Sequence, residues 1–152
     1  MHGYIYQLTT DQTDDMLLEC EVYNEEMVDY VIRLDPDKAE KAIEHLKNEE
    51  WFSKLFVEDE TGSIMYNGNA HQMIRSWSAN IALVADRWSV YGGFSGLCKL
   101  RNALEYGEIG RTLFCLEGCN GRLSTPVDML DWLSDLKEGT RIYIKSVFDY
   151  HY

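Results

Sequence analysis

The first third of the chain alternates apolar and polar residues in the manner of β-strands. An aromatic and aliphatic run covers residues 4–8, and apolar residues recur at every second position in residues 18–22 and again in residues 27–34. Three polar residues, 24–26, separate the last two runs and are typical of a turn. The pattern therefore predicts three strands, of which the last two form an antiparallel meander.

Two proline-containing pairs predict the starts of helices. They are Asp35-Pro36 and Thr125-Pro126. The Asp or Thr side chain can accept hydrogen bonds from the free amides of the first turn, and proline lacks the N–H that would be unpaired there. Apolar residues follow each pair at spacings of three and four, as far as Leu46 and Leu136. We therefore predict a helix after each pair.

The most apolar helix is predicted to begin near residue 69. Its inward residues are Ala70, Met73, Ile74, Trp77, Ile81, Val84, Ala85 and Trp88. This stripe predicts the central core helix, although residues 87–91 also fit a short strand before the glycines at 92–93. A further helix is predicted from Ser95, as its N-cap, through Tyr106. Its predicted inward residues are Leu97, Leu100 and Leu104.

The remaining apolar runs predict two strand pairs and a final strand. Residues 55–57 and 64–66 flank one polar turn, residues 112–116 and 122–124 flank another, and residues 141–150 form the last run. Most consecutive strands are thus joined by turns and not by crossovers. This order predicts an α+β fold, with a mainly antiparallel sheet and three to four helices packed on one face or end.

The composition is typical of one domain. The chain has 152 residues, 45% of them hydrophobic, and contains two prolines and no Gly/Ser-rich linker. We therefore predict a single domain over residues 1–152. No stretch approaches the ~20 apolar residues of a membrane helix, and the first residues lack the pattern of a secretion signal. With only four cysteines, no disulfide scaffold is indicated, and we expect a cytoplasmic protein with no membrane partner.

The net charge of −12 is concentrated in the first part of the chain. Residues 1–60 hold 17 acidic and 5 basic side chains, whereas residues 61–152 hold 9 of each. A field of this sign repels a phosphate backbone and attracts cationic molecules. We therefore expect that the protein does not bind nucleic acid directly. We expect its partner to be a basic protein.

A dense group of carboxylates is the candidate partner-binding site. Glu19 and Glu21 share one face of a predicted strand, where residues two apart lie ~7 Å from each other, close to the spacing of successive phosphates. A row of carboxylates at this spacing imitates a nucleic-acid backbone. The predicted partner-binding residues are Asp14, Asp15, Glu19, Glu21, Glu25, Glu26 and Asp29.

The leading hypothesis is a non-enzymatic acidic interaction protein that occupies the basic groove of a nucleic-acid-binding protein. Inhibitors of the antirestriction and anti-CRISPR type, made by phages and mobile elements, share its small size and acidic charge, which is an analogy and not a sequence resemblance. No motif for a cofactor or a metal is present. Cys115 and Cys119 lack the spacing of a zinc ribbon and no second ligand pair follows, so neither group is expected.

Two alternatives stay open at this point. A small enzyme would have its pocket near His71, Ser95 and Cys98, with the serine or cysteine as nucleophile and the histidine as base. A structural subunit of a larger assembly would instead expose a large apolar patch. The enzyme also predicts a deep pocket that contains an ionisable group with a perturbed pKa.

Overall fold

The computed structural model describes residues 2–12, 30–91, 93–119 and 122–151. Its strands are β1 (His2–Thr9), β2 (Tyr30–Arg33), β3 (Phe56–Glu58), β4 (Ile64–Tyr66), β5 (Leu113–Leu116), β6 (Leu123–Ser124) and β7 (Arg141–His151). Its helices are α1 (Pro36–Lys47), α2 (Glu50–Leu55), α3 (Ala70–Tyr91), α4 (Phe94–Glu105) and α5 (Pro126–Ser134). The predicted α+β fold is confirmed. Within these ranges there are five helices, one more than the largest number predicted.

The sheet is built around two long central strands, β7 and β1. The strand order is β3-β4-β7-β1-β5-β6, and β2 also pairs with β7. β1 lies antiparallel to β7 and parallel to β5, and the other pairs are antiparallel. β4 pairs with the first residues of β7 and β2 with its last residues, so both lie on the edge of β7 opposite β1.

The main hydrophobic core lies between the sheet and the helices. On the sheet side it contains Tyr6, Leu8, Phe114, Leu116, Ile142 and Val147. On the helix side it contains Ala42 and Leu46 of α1, Trp51, Phe52 and Leu55 of α2, Ala70, Met73 and Trp77 of α3, and Met129, Leu130 and Leu133 of α5. Side chains of a strand alternate between the two faces of a sheet. The helices therefore cover one face, as the sequence predicts.

The opposite face of the sheet carries a second, smaller cluster. Its buried members are Ile5, Leu113, Cys115, Leu123, Phe148 and Tyr150, all of them strand residues. Gln7 and Ser146 are also buried, on neighbouring strands at an irregularity in the pairing of β1 with β7. No hydrogen-bond partner reaches the Gln7 amide or the Ser146 hydroxyl from the described part of the chain. Such groups destabilise a fold because they have lost water without replacing it.

The predicted helix starts are confirmed in atomic detail. Asp35 precedes α1, and its carboxylate accepts from the amide of Lys38 at 3.0 Å. Thr125 precedes α5 and forms a capping box, in which its hydroxyl accepts from the Asp128 amide while the Asp128 carboxylate accepts from the Thr125 amide. Both helices begin with a proline at the first position.

The α3–α4 region differs from the prediction in two ways. Residues 87–91 are helical, as the apolar stripe through Trp88 predicts, and the alternative strand does not form there, since α3 continues to Tyr91. α4 begins at Phe94 with Gly93 as its N-cap, so Ser95 is not the cap. Leu97 and Leu104 are each 49% exposed and do not face the core.

The physical reason for this difference is how α4 packs. Ala103 is buried, and Gly96 lies so close to Trp88 that a Cβ at residue 96 would lie 2.3 Å from the indole ring. The face of α4 that meets α3 therefore carries the small residues of the helix, and Leu97 and Leu104 are left exposed. Within α3 the first turns are buried through Met73 and Trp77, but Trp88 is exposed.

The predicted strand at residues 18–22 and the first residues of the run 27–34 lie outside the described residues, and the described strand β2 pairs with β7. In the portion of the chain that is described, no helix has both the length and the apolar character needed to cross a membrane.

Candidate functional site

The predicted partner-binding residues all fall in a stretch that we name the acidic segment, residues 11–29. It contains eight Asp or Glu residues and no Lys or Arg. Asp14, Asp15, Glu19, Glu21, Glu25, Glu26 and Asp29 lie outside the described residues. The described residues on its two sides, Thr9 and Tyr30, pair with Tyr143 and His151 of β7. These positions lie ~26 Å apart along the strand, so the described residues on the two sides of the acidic segment pair with opposite ends of β7.

The beginning of the acidic segment is held by side chains from the sheet. The amide and the hydroxyl of Thr10 both donate to Oε2 of Glu117, at 2.7 Å each. The amide of Asp11 donates to the Thr9 hydroxyl at 3.0 Å, and the Lys145 ammonium donates to the Gln12 carbonyl. The turn that leads into the acidic segment is therefore attached to Glu117, which follows β5, and to Lys145 within β7.

Several carboxylates among the other described residues form ion pairs with Lys or Arg. The Lys54 ammonium lies 2.9 Å from Glu108 and 3.0 Å from Glu50, and these hydrogen bonds raise the pKa of Lys54. Asp59 lies 3.1 Å from the Arg141 guanidinium. The pKa of Asp59 is lowered, first by the hydrogen bond from the Thr61 hydroxyl.

Three further carboxylates of the described residues form ion pairs with Lys or Arg. They are Asp35 with Lys38, Glu58 with Lys47, and Glu105 with Arg101. Every Lys and Arg of the chain lies outside residues 11–29. Exposed pairs of this kind contribute little stability, but they reduce the field that those carboxylates present to solvent. The acidic segment contains no cation of its own to do the same.

The catalytic arrangement considered for His71, Ser95 and Cys98 does not form. His71 lies in the first turn of α3, whereas Ser95 and Cys98 lie at the start of α4, beyond the other end of α3. Gly96 packs against Trp88, which is 17 residues after His71 and therefore ~26 Å away along the helix. All three side chains are exposed. A nucleophile and its base must lie within hydrogen-bond distance of each other.

A polar cleft of about 250 Å³ lies beside the first residues of β1. It is lined by Gly3, Tyr4, Tyr6, His45, Leu46, Glu49, Arg111 and Thr112. The Tyr6 hydroxyl donates to the Ala42 carbonyl at 3.0 Å, and burial raises the pKa of Tyr6. His45 Nε2 lies 3.4 Å from Glu49 Oε1. A tyrosine with a raised pKa stays protonated at neutral pH. The Tyr6 hydroxyl therefore remains a hydrogen-bond donor, and it joins β1 to α1.

An apolar groove of about 520 Å³ lies between α4 and α5. Its lining residues are Ile74, Trp77, Ser78 and Ile81 of α3, Leu104 of α4, and Val127, Asp128, Leu130 and Asp131 of α5. Both α4 and α5 pack on α3, which forms the floor. Leu104 and Val127 are about half exposed, at 49% and 47%, and form opposite walls. An apolar groove with accessible walls is suited to binding another molecule.

Trp77 fixes the position of α4 beside this groove. Its indole N–H donates to the Ala103 carbonyl, and its ring covers Gly107, the residue that follows the C-terminal end of α4 by two positions. A Cβ on Gly107 would lie 2.4 Å from the ring. Sequence reasoning missed the groove because it placed Leu104 in the core. The signal that indicates it is the set of small residues on α4, Gly96 and Ala103, which mark the true buried face.

The described residues contain no group of three His, Cys, Asp or Glu side chains that could hold a metal ion. Cys98 is exposed, Cys119 is half-buried and Cys115 is buried. The chain matches no protein family, no curated protein and no solved structure.

Proposed function

We propose that the protein is a non-enzymatic, cytoplasmic inhibitor that presents its acidic segment to the basic groove of a nucleic-acid-binding protein. The observation that supports this proposal is the charge of residues 11–29, which hold eight carboxylates and no cationic side chain. Carboxylates spaced two residues apart on a strand resemble successive phosphates in charge and separation. The inhibitor thereby takes the place of the nucleic acid.

The surroundings of the acidic segment support its use as a binding surface. Thr10, just before it, donates to Glu117, the Gln12 carbonyl within it accepts from Lys145, and β2, which follows it, is paired with β7. A segment whose flanking residues are held on both sides loses less conformational freedom on binding than a free tail does. Inhibitors of the antirestriction and anti-CRISPR type from phages and mobile elements fit this description by analogy of size and charge.

Charge reversal within the acidic segment tests the proposal. The variant changes Glu19, Glu21, Glu25 and Glu26 to Lys. Proteins from a host-cell extract are captured on the immobilised parent, identified, purified and tested for competition with duplex DNA. The reversed variant should lose binding to such a partner, mainly through slower association at low salt, since long-range charge steers the encounter. The affinity of the parent should fall between about 50 and about 300 mM salt, as the screening length shortens.

A second reversal with the same change in net charge is the control. It changes Glu40, Glu44, Glu60 and Glu138 to Lys, all of them exposed and outside the acidic segment. Mimicry predicts that the control keeps most of the binding, because its segment is intact. Equal losses in the two variants, or a captured partner that duplex DNA does not displace, would show that the acidic segment is not a nucleic-acid mimic.

A further inference from the structure

We propose that the groove between α4 and α5 binds an amphipathic helix of a partner protein, whose apolar stripe fills the groove while a Lys or Arg beside the stripe pairs with Asp131. None of the groove residues belongs to residues 11–29, and the proposal does not depend on the acidic segment.

The shape of the groove fits one face of a short helix. Ile74 and Ile81 lie two turns apart on α3, ~10 Å along its axis, and form the floor. Leu104 and Val127 form the two walls, and about half of the surface of each is exposed. Helices that bind in grooves insert apolar residues at positions i, i+3 or i+4, and i+7, which cover the same length.

The charge at the edge of the groove favours a Lys or Arg beside the apolar stripe of that helix. Asp131 is exposed on the α5 wall, and no Lys or Arg of the described residues forms an ion pair with it. The neighbouring Asp128 is already engaged in the capping box with Thr125. A cation on the partner would therefore find, at the edge of an apolar surface, a carboxylate that no described Lys or Arg pairs with.

The same reasoning favours another protein over a second copy of this chain. Each copy carries a net charge of −12, so two copies repel each other. A basic amphipathic helix is instead attracted before it docks. Apolar contact then supplies the part of the binding energy that salt does not screen.

A model peptide tests the proposal directly. The probe is a fluorescein-labelled helical peptide of about 18 residues, with leucines along one stripe and lysines beside it. Binding is measured by fluorescence anisotropy at about 300 mM salt, where long-range attraction to an acidic protein is screened. The parent should bind this peptide, and Leu104→Glu should bind it at least about tenfold more weakly, because a leucine contact is lost.

Leu104→Glu separates groove binding from general charge attraction. The variant is more negative than the parent, so unspecific attraction of the lysine peptide would rise and not fall. Binding that is unchanged or tighter in Leu104→Glu would therefore overturn the proposal. The thermal unfolding curve of the variant, followed by circular dichroism, confirms that the fold is intact, since Leu104 is already half exposed.

A charge exchange tests the role of Asp131. Asp131→Lys should weaken binding of the lysine peptide and strengthen binding of the same peptide with glutamates in place of lysines. Glu138→Lys is the matched control, an exposed carboxylate that does not line the groove. Equal effects of the two variants would contradict the pairing with Asp131. Sedimentation equilibrium adds one more outcome: a dimer of the parent that Leu104→Glu dissociates would assign the groove to a second copy and overturn the proposal.

Discussion

The contact between Trp77 and Gly107 makes the most demanding prediction about this fold. Trp77 is 5% exposed, and its indole donates to the Ala103 carbonyl. Replacing a buried tryptophan by alanine costs ~3–5 kcal/mol, because contacts are lost and a cavity is left. The Trp77→Ala variant should therefore lose about this much of its free energy of unfolding.

Replacing Gly107 by alanine should destabilise the fold for a different reason. Its backbone has φ +51°, which disfavours residues with a Cβ, and a Cβ there would lie 2.4–2.7 Å from the Trp77 ring. We expect Gly107→Ala to cost ~1–2 kcal/mol from the backbone and a further ~1–3 kcal/mol from the collision. In the Trp77→Ala background only the backbone part should remain, because the ring is gone.

Urea unfolding of the parent, Trp77→Ala, Gly107→Ala and the double variant measures the coupling free energy between residues 77 and 107. The slope against urea must stay the same in all four if the unfolded states are comparable. A coupling of ~1–3 kcal/mol is expected, since residues in contact are not additive. Additive losses within ~0.5 kcal/mol, or a Trp77→Ala loss under ~1 kcal/mol, would refute the packing of Trp77 against Gly107.

Two further predictions concern buried polar groups. Burial raises the pKa of Tyr6 above its ordinary value of 10.0, so above that pH the unfolded chain holds fewer protons than the folded chain. The contribution of Tyr6 to stability is thus complete below pH ~10 and declines as the pH rises further. Urea unfolding at pH ~8 and ~11 should show that the free energy of unfolding falls less between these two pH values in Tyr6→Phe than in the parent. Gln7→Met should raise the free energy of unfolding by ~1–3 kcal/mol, because it removes a buried amide that no described residue satisfies; a destabilised Gln7→Met variant would mean that this amide has a partner.

Local signals in the sequence predict the starts of α1 and α5, although the cap predicted at Ser95 is wrong. The capping residues Asp35 and Thr125 satisfy amides within three positions of themselves, so the interaction is complete in a short stretch of chain. The pairing of β3 with β4 and of β5 with β6 is likewise local, because each strand pairs with its neighbour in the sequence. Such features depend on local chemistry and need no knowledge of the tertiary fold.

Non-local features were not predictable in the same way. The parallel pairing of β1 with β5 joins segments about 100 residues apart. The short helix α2 presents Trp51, Phe52 and Leu55 to the core, too short a stretch to distinguish helical from strand periodicity. Leu97 and Leu104 fit an inward helical stripe, and only the packing of Gly96 and Ala103 against α3 shows that α4 is rotated away from it.

The charge of the acidic segment was predictable from the sequence, but the groove between α4 and α5 was not. The acidic segment is visible because its eight carboxylates are adjacent in sequence. The groove combines residues of three helices, from Ile74 to Asp131, and no local pattern brings them together. Its apolar residues have the same spacing as core residues, so the sequence alone does not distinguish an exposed wall from a buried one.

The two proposed surfaces act on different steps of binding, and this difference shows whether one partner uses both. Charges far from contact accelerate association and are screened by salt, whereas apolar contact formed after docking mainly slows dissociation. Reversal of Glu19 and its neighbours should then lower the association rate at low salt, while Leu104→Glu should raise the dissociation rate at any salt. A partner whose complex shows both effects contacts the acidic segment and the groove together, and one that shows a single effect contacts a single surface.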